Sequence, residues 1–442
     1  MRLPSSLPSP NLKLGLNLGR RSSADVVGLD IQPGFVAAVR ARVNGSIVAE
    51  RAAAVPLSPD TMRDGEVVDE AGLAEALKDL FAEHNLGKRV RVGVANQRTV
   101  LRTLELPPVT DQKELAAAVS FQAQDQVPMP LGNAVLDFHP LGIVDTPAGP
   151  RQKVVLVAAQ RDMVERLLSA VRQAGLTAEG VDLSAFALIR SLYRHEEGQT
   201  GRILYLNVDG LSNLAIAEGT VCRFTRVVGS GLEGMAAELA ERRGVALADA
   251  RGRLLEGDLR APAEPEFEPE PEHEKQASRA EEPEHEAHGE HDEAPGAEIP
   301  EPEPIDLSAE AQALPSVEEQ EARELEMSYE ELSAAPVAAA AAPEASDADV
   351  QMVLENGVRD ISGEVRNSLD FHRSQEGGGE VSHVVLSGAA QDIPGFAEAL
   401  QLSLGVEVRS ASLEVAGALR EGGVSPHRLA VATGLAAAEA PQ

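Results

Sequence analysis

Val26-Val27-Gly28-Leu29-Asp30-Ile31-Gln32-Pro33-Gly34-Phe35-Val36-Ala37-Ala38-Val39-Arg40 is an apolar strand, an Asp, a small-residue turn and a second strand. About 180 residues later the plan returns in Ile203-Leu204-Tyr205-Leu206-Asn207-Val208-Asp209-Gly210-Leu211-Ser212-Asn213-Leu214-Ala215-Ile216-Ala217-Glu218-Gly219. Each stretch reads as a β-hairpin with a carboxylate at the end of its first strand and a tight turn beside it. Turn N–H groups can face a phosphate, and an Asp beside them can hold a hydrated Mg²⁺. Two copies at domain-scale separation predict a duplicated α/β fold that closes on a nucleotide from both sides.

The 442 residues suffice for two to three domains with their own cores. Aromatic residues make up 3% and Trp is absent, so the core has to be built from Leu, Val, Ala and Ile. A single cysteine, Cys222, excludes an internal disulfide and reads as a small buried apolar residue. The net charge of −32 is unevenly spread: residues 261–350 carry 28 Asp/Glu against three Lys/Arg, or −25, which leaves −7 for the rest. No basic face suits nucleic acid. No apolar run reaches the length of a membrane span, and the first residues lack the apolar run of a signal peptide, so a cytoplasmic location is expected.

Residues 1–24 read as a disordered leader. The Glu- and Pro-rich segment 259–346 holds too little apolar surface to offset its ordering entropy and is expected to be disordered. Within it, Ser316-Val317-Glu318-Glu319 has capping-box spacing ahead of a short helical pattern. His285 and His288 stand one residue short of the spacing that places two imidazoles on one helix face. Elsewhere strands and helices alternate twice. Strands are expected at 26–31, 35–40, 46–54, 89–94, 100–106, 154–159, 221–228, 384–386 and 406–408. Helices are expected at 71–86, from a Thr110 cap to Gln126, and at 161–174, 184–194, 231–243, 348–372, 393–404 and 429–438.

Three loops converge in this scheme: Asp30–Gly34, Asp209–Asn213 and Leu386-Ser387-Gly388-Ala389-Ala390. For any one of them, shaping a turn is reason enough for the Asp or Gly; the three in this order point to a nucleotide. Asp30 and Asp209 would hold Mg²⁺ through its waters. The backbones of Gln32, Gly34, Gly210, Ser212 and Asn213 would face the phosphates. Gly231 would open a helix whose first N–H groups add to the cradle, and Gly388 and Ala389 would pack on the nucleoside.

The chain resembles the actin-like ATPases and, within them, the FtsA-related PilM family of type IV pilus assembly proteins. The stretches that carry the resemblance are Val27–Ile31, Leu101–Pro107, Ala123–Pro130, Ala174-Gly175-Leu176 with Val181-Asp182-Leu183, Glu364–Phe371, Leu386-Ser387-Gly388 and Val431–Ala436. It implies two lobes with subdomains 1A (25–98 and 153–198), 1C (99–152) and 2A/2B (199–258 and 347–438, ending in a C-terminal helix). It also implies ATP and Mg²⁺ in the cleft and a groove for the cytoplasmic N-terminal peptide of PilN, a single-span inner-membrane protein. Pilus motor ATPases are further implied partners, and the membrane would be reached only through partners. Where the family has Asp-Ile-Gly followed by a hydroxyl residue, this chain has Gln32-Pro33-Gly34-Phe35, which removes one N–H donor and offers no hydroxyl. The expectation is therefore an assembly scaffold in which hydrolysis is weak or absent and no residue is catalytic. An ATP-dependent enzyme of the actin/sugar-kinase superfamily is the first alternative. An FtsA-like membrane-associated filament is the second.

Overall fold

The same strand order occurs twice. The computed structural model describes residues 26–44, 46–147, 149–195, 201–260, 347–375, 377–411, 413–416, 419 and 424–437. In the first sheet β1 (Val27–Gln32) pairs antiparallel with β2 (Phe35–Asn44), which pairs antiparallel with β3 (Ser46–Pro56). On its other side β1 runs parallel to β6 (Arg89–Val94), and β6 parallel to β10 (Thr177–Leu183). The second sheet repeats this with β11 (Arg202–Val208), β12 (Ser212–Glu218), β13 (Val221–Val228), β14 (Val381–Ser387) and β15 (Val408–Ser410). Again a three-strand meander carries two parallel strands beyond its first member. The parallel strands β6 and β14 are flanked by helices, and their valines and leucines fill the cores beneath them.

Helices cover the sheets. In the first lobe α1 (Glu70–Glu83), α3 (Arg161–Gln173) and α4 (Ser184–Leu192) bury their apolar stripes on β1, β6 and β10. Asp69 caps α1 by accepting from Ala71 and Gly72 N–H. The stripe of Leu73, Leu77, Leu80 and Phe81 lies in that core, each side chain contributing about 2 kcal/mol by leaving water. In the second lobe α5 (Leu232–Arg243), α6 (Leu247–Leu255), α7 (Asp347–Ser374) and α8 (Phe396–Leu404) do the same for β11, β12 and β14.

Between β6 and α3 the chain leaves the first sheet. β7 (Val100–Leu106) and β8 (Ala134–Thr146) flank β9 (Gly149–Gln160) in a three-stranded antiparallel sheet. The helix α2 (Gln112–Gln126) lies on it over a separate small core. A two-residue ribbon, β4 (Met62–Arg63) with β5 (Glu66–Val67), precedes α1.

Several elements differ from the sequence expectation. Asp30 lies inside β1, paired with Ala37, and only Asp209 stands past the end of its strand. Asp111, not Thr110, caps α2, because its Oδ1 accepts from both Lys113 and Glu114 N–H. The strand β8 was not foreseen, since Pro140 and Gly142 interrupt its alternation; the structure absorbs them in a register shift against β9. The helix α6 is short and charged and gave no clear period. A 3-10 turn at Ala389–Asp392 delays α8 to Phe396, and β15 starts two residues later than expected. The leader, the acidic segment, its capping box and its histidines lie outside the described residues.

The C-terminal helix α9 (Ala430–Ala436) is wedged between β1 and α4. Its backbone passes so close that a Cβ on Gly28 would stand 1.8 Å from the Ala432 carbonyl oxygen, and one on Gly434 1.8 Å from that of Ala187. Its last carbonyls are bonded by cations: Arg91 donates to Leu435 and Ala437 O at 2.8 and 3.0 Å, and Arg190 to Gly434 O at 3.1 Å. Backbone cannot yield as a flexible side chain can. Gly28→Ala and Gly434→Ala should each cost about 3 kcal/mol or more in chemical denaturation, the upper end of core overpacking.

Candidate functional site

The turns of the two hairpins meet face to face. A Cβ on Gly210 would stand 2.2 Å from the Pro33 carbonyl oxygen, so Gly is what allows the β11–β12 turn to sit against the β1–β2 turn. Asp30 and Asp209 flank this meeting point, each 1% exposed. Gln32 Nε2 donates to both Asp30 oxygens, at 3.2 Å to Oδ2 and 3.5 Å to Oδ1. Burial, reinforced by the charge of Asp209, pushes its carboxyl up to about 7.

Asp209 is far better supplied. Its Oδ1 accepts from the Ala389 N–H at 2.9 Å and faces Arg428 Nε at 3.6 Å, and its Oδ2 accepts from Asn207 Nδ2 at 3.2 Å. Burial still raises its pKa, against the pull of Arg428 and those two donors. The Arg428 guanidinium also stacks 4.2 Å over the Phe35 ring, so one side chain touches both lobes.

The structure thus brings Asp30, Gln32, Gly34, Asp209, Gly210, Ser212, Asn213, Gly231, Gly388 and Ala389 to one region, all buried. Their expected uses are only partly open. The first N–H groups of α5 are taken: Leu232 donates to Asp209 O at 2.7 Å and Glu233 to Gly210 O at 3.3 Å. Gly231 is needed because a Cβ there would press on those same two carbonyls. Ser212 Oγ donates to Ser230 O. Gly388, at φ +95°, packs on the Val208 backbone, 2.4–2.7 Å from where its Cβ would be, rather than lining an open base pocket.

On the floor the fit is different. Gln32 Oε1, Ser184 Oγ and both amide atoms of Asn213 are buried without hydrogen-bond partners. A side chain at Gly93 would come within 2.9 Å of Ser184 Oγ and 3.7 Å of Asp30 Oδ1. Asn213 lines a separate cavity of about 10 Å³ with Asn96 and Thr99, room for one water, that neither Asp30 nor Asp209 lines. Buried polar atoms need partners, and two carboxylates with amide and hydroxyl oxygens suit a hydrated Mg²⁺ or Ca²⁺ rather than a soft metal. Among the described residues no group of three or more His, Cys, Asp or Glu is placed to hold a metal ion, so a cation here would rest on the two carboxylates. The turns, in this closed arrangement, do not fit a triphosphate between them.

The sequence reading missed three residues. Arg251 and Glu233 form an ion pair against Gly34, and Arg428 links Phe35 to Asp209. Arginines in charged stretches carry no signal of their own, because a solvated face looks the same.

Comparison with known proteins follows the fold. Residues 28–201 match the family described as type IV pilus assembly protein PilM. The resemblance is to PilM. A solved structure of the PilM–PilN type IV pilus biogenesis complex is similar over 94% of this chain and 98% of that one, at 20% identity and a TM-score of 0.60. The ethanolamine utilization protein EutJ from Carboxydothermus hydrogenoformans is similar over 93% of this chain and 88% of its own, at 13% identity and a TM-score of 0.44. MreB5 of Spiroplasma citri, solved with ADP, is similar over 92% and 94%, at 10% identity and a TM-score of 0.43. The PilM-like, actin-like ATPase fold expected from the sequence is the fold of this chain. No helix among the described residues is long and apolar enough to cross a membrane.

The buried Asp30 gives a pH test. Its folded value near 7 stands above an unfolded value of 3.8, so the folded state holds the proton more tightly. Its contribution is fully present below about pH 4 and is lost as pH rises to about 7, by up to about 1.4 kcal/mol per pH unit. Urea denaturation from pH 4 to 7.5 should show this decline in the wild type and a flatter profile in Asp30→Asn.

Proposed function

We propose that the protein is a cytoplasmic scaffold of type IV pilus or related secretion-system assembly that binds the N-terminal peptide of a PilN-like inner-membrane protein. The observation that carries this reading is similarity, over almost the whole chain, to a PilM solved in complex with PilN, together with the family match over residues 28–201. In this reading the protein works at the inner-membrane face through partners, the pilus motor ATPases among them.

The three-stranded sheet supplies a surface that suits a peptide. Among the described residues no strand pairs with the outer edges of β7 and β8, where an extended peptide can add as a strand. Phe121 on α2 is 74% exposed and Ile143 on β8 62%, both apolar side chains in this unit. The subdomain assignment 1C for this unit, with 1A and 2A/2B for the two sheets, is part of the same proposal.

ATP with Mg²⁺ is the proposed cleft ligand. When bound, the metal would neutralise phosphate charge, with Asp30 and Asp209 holding its waters and Gln32 and Asn213 offering further oxygens. The turn residues Gly34, Gly210 and Ser212, with Gly231, Gly388 and Ala389, would face the nucleotide once the two hairpin turns have parted. Binding would then report the state of the cleft to the assembly rather than drive chemistry.

A pull-down with the synthetic N-terminal peptide of a PilN-like protein should retain the full chain. The double variant Phe121→Asp/Ile143→Asp should weaken retention by about tenfold or more, the scale of a lost apolar hot spot. No retention with or without MgATP would overturn the reading.

A further inference from the structure

The tip of the β1–β2 hairpin is gripped by the second lobe from two sides. On one side Arg251 of α6 lies flat against Gly34: a Cβ there would meet its Nη2 at 2.6 Å and its Cζ at 2.7 Å, and Nη1 donates to the Gly34 carbonyl at 3.3 Å. On the other side Arg428 stacks on Phe35. Gly34 has φ +87°, so only a residue without Cβ lets the guanidinium approach this closely.

Two details separate the Arg251 contact from ordinary folding contacts. The Gly34 carbonyl already accepts the Leu57 N–H at 3.0 Å, inside the first lobe, so the bond from Arg251 is an additional one. Losing it orphans nothing in the hairpin. Arg251 is also held within its own lobe by Glu233 of α5, through Nε at 3.1 Å and Nη2 at 2.5 Å, with 12% and 19% of the two side chains exposed. Its charge is matched there. It offers the carbonyl a hydrogen bond across the cleft rather than offering an anion a free cation.

The Pro33 carbonyl rests against Gly210 beside this contact. A phosphate chain has no path between the turns until they separate, and separation breaks the Arg251–Gly34 bond. We propose that the Arg251–Glu233 pair is an interlobe latch that holds the cleft closed and opposes entry of a phosphate-bearing nucleotide. The latch rests on the nucleotide part of the function proposed above only for the identity of what it opposes. It predicts that opening breaks this charge-assisted bond along with the Arg428 stack on Phe35, a population shift rather than a new fold.

The test uses the full chain with Cys222 replaced by Ser and spin labels on cysteines introduced at the exposed Val68 and Leu402, one in each lobe. Interlobe distances are measured by double electron–electron resonance for the Arg251 parent, for Arg251→Met, which keeps the bulk without the donor, and for Arg251→Lys. Arg251→Met is expected to add a population at longer distance, Arg251→Lys a smaller one, and MgATP to produce the same population in the parent. A fluorescent ATP analogue should bind about tenfold more tightly to Arg251→Met, the effect of removing one charge-assisted hydrogen bond from the closed state. Distance distributions of both variants that superimpose on the parent overturn the latch, whatever the nucleotide does. Opening in the variants with no ATP binding in any form supports the latch and counts against ATP as the cleft ligand.

Discussion

A carboxylate shut away from water has to find its hydrogen bonds inside the protein, and Asp209 finds them across the fold. Its oxygens accept from the Ala389 N–H and from Asn207 and face the Arg428 guanidinium at 3.6 Å, groups that come from the loop after β14, from β11 and from the segment leading into α9. That one charge ties the second sheet to the 3-10 turn that follows it and to the chain's return into the first lobe. Arg428 completes the tie by stacking on Phe35. Removing a single partner from such a group leaves an uncompensated buried charge, which costs more than the bond itself is worth.

Asp30 is the counterpart that lacks this support. It lies inside the first strand of its hairpin rather than past its end, yet Gln32 Nε2 is its one hydrogen-bond donor among the described residues, and its neighbour's charge opposes its own. The duplication is thus symmetrical in backbone and unequal in electrostatics. One carboxylate serves as a structural hub, and the other holds its proton unusually tightly. Together with the unpartnered atoms of Gln32, Ser184 and Asn213, this makes the floor of the cleft its receptive part. The turns above it, pressed together at Pro33 and Gly210 and gripped by Arg251, form the guarded part.

Much of this was legible without coordinates. Strand patterning placed β6, β7 and β13 at their observed residues, and the repeated hairpin announced two sheets of the same order. Glycine-rich turns and their Asp residues marked loops that the fold does bring together, because each reports a local backbone demand. The errors fall where local signals are weak or divided. In β8, Pro140 and Gly142 hid a strand that only its pairing with β9 sustains. At α2 two polar residues stood side by side, and Asp111 rather than Thr110 met the helix N–H groups.

The amino-acid sequence by itself determined the duplicated α/β fold, the family it resembles and the loops that converge, because hydrophobic periodicity and turn chemistry are properties of neighbouring residues. The tertiary structure alone decided how those loops are used. The N–H groups at the start of α5 are spent on the turn's own carbonyls, Gly388 is packed against Val208, and Arg251 closes on Gly34. Those are contacts between residues far apart in the chain, where distance and burial rather than residue type set the energy. An arginine on a charged helix reads alike whether it faces water or bolts two lobes together.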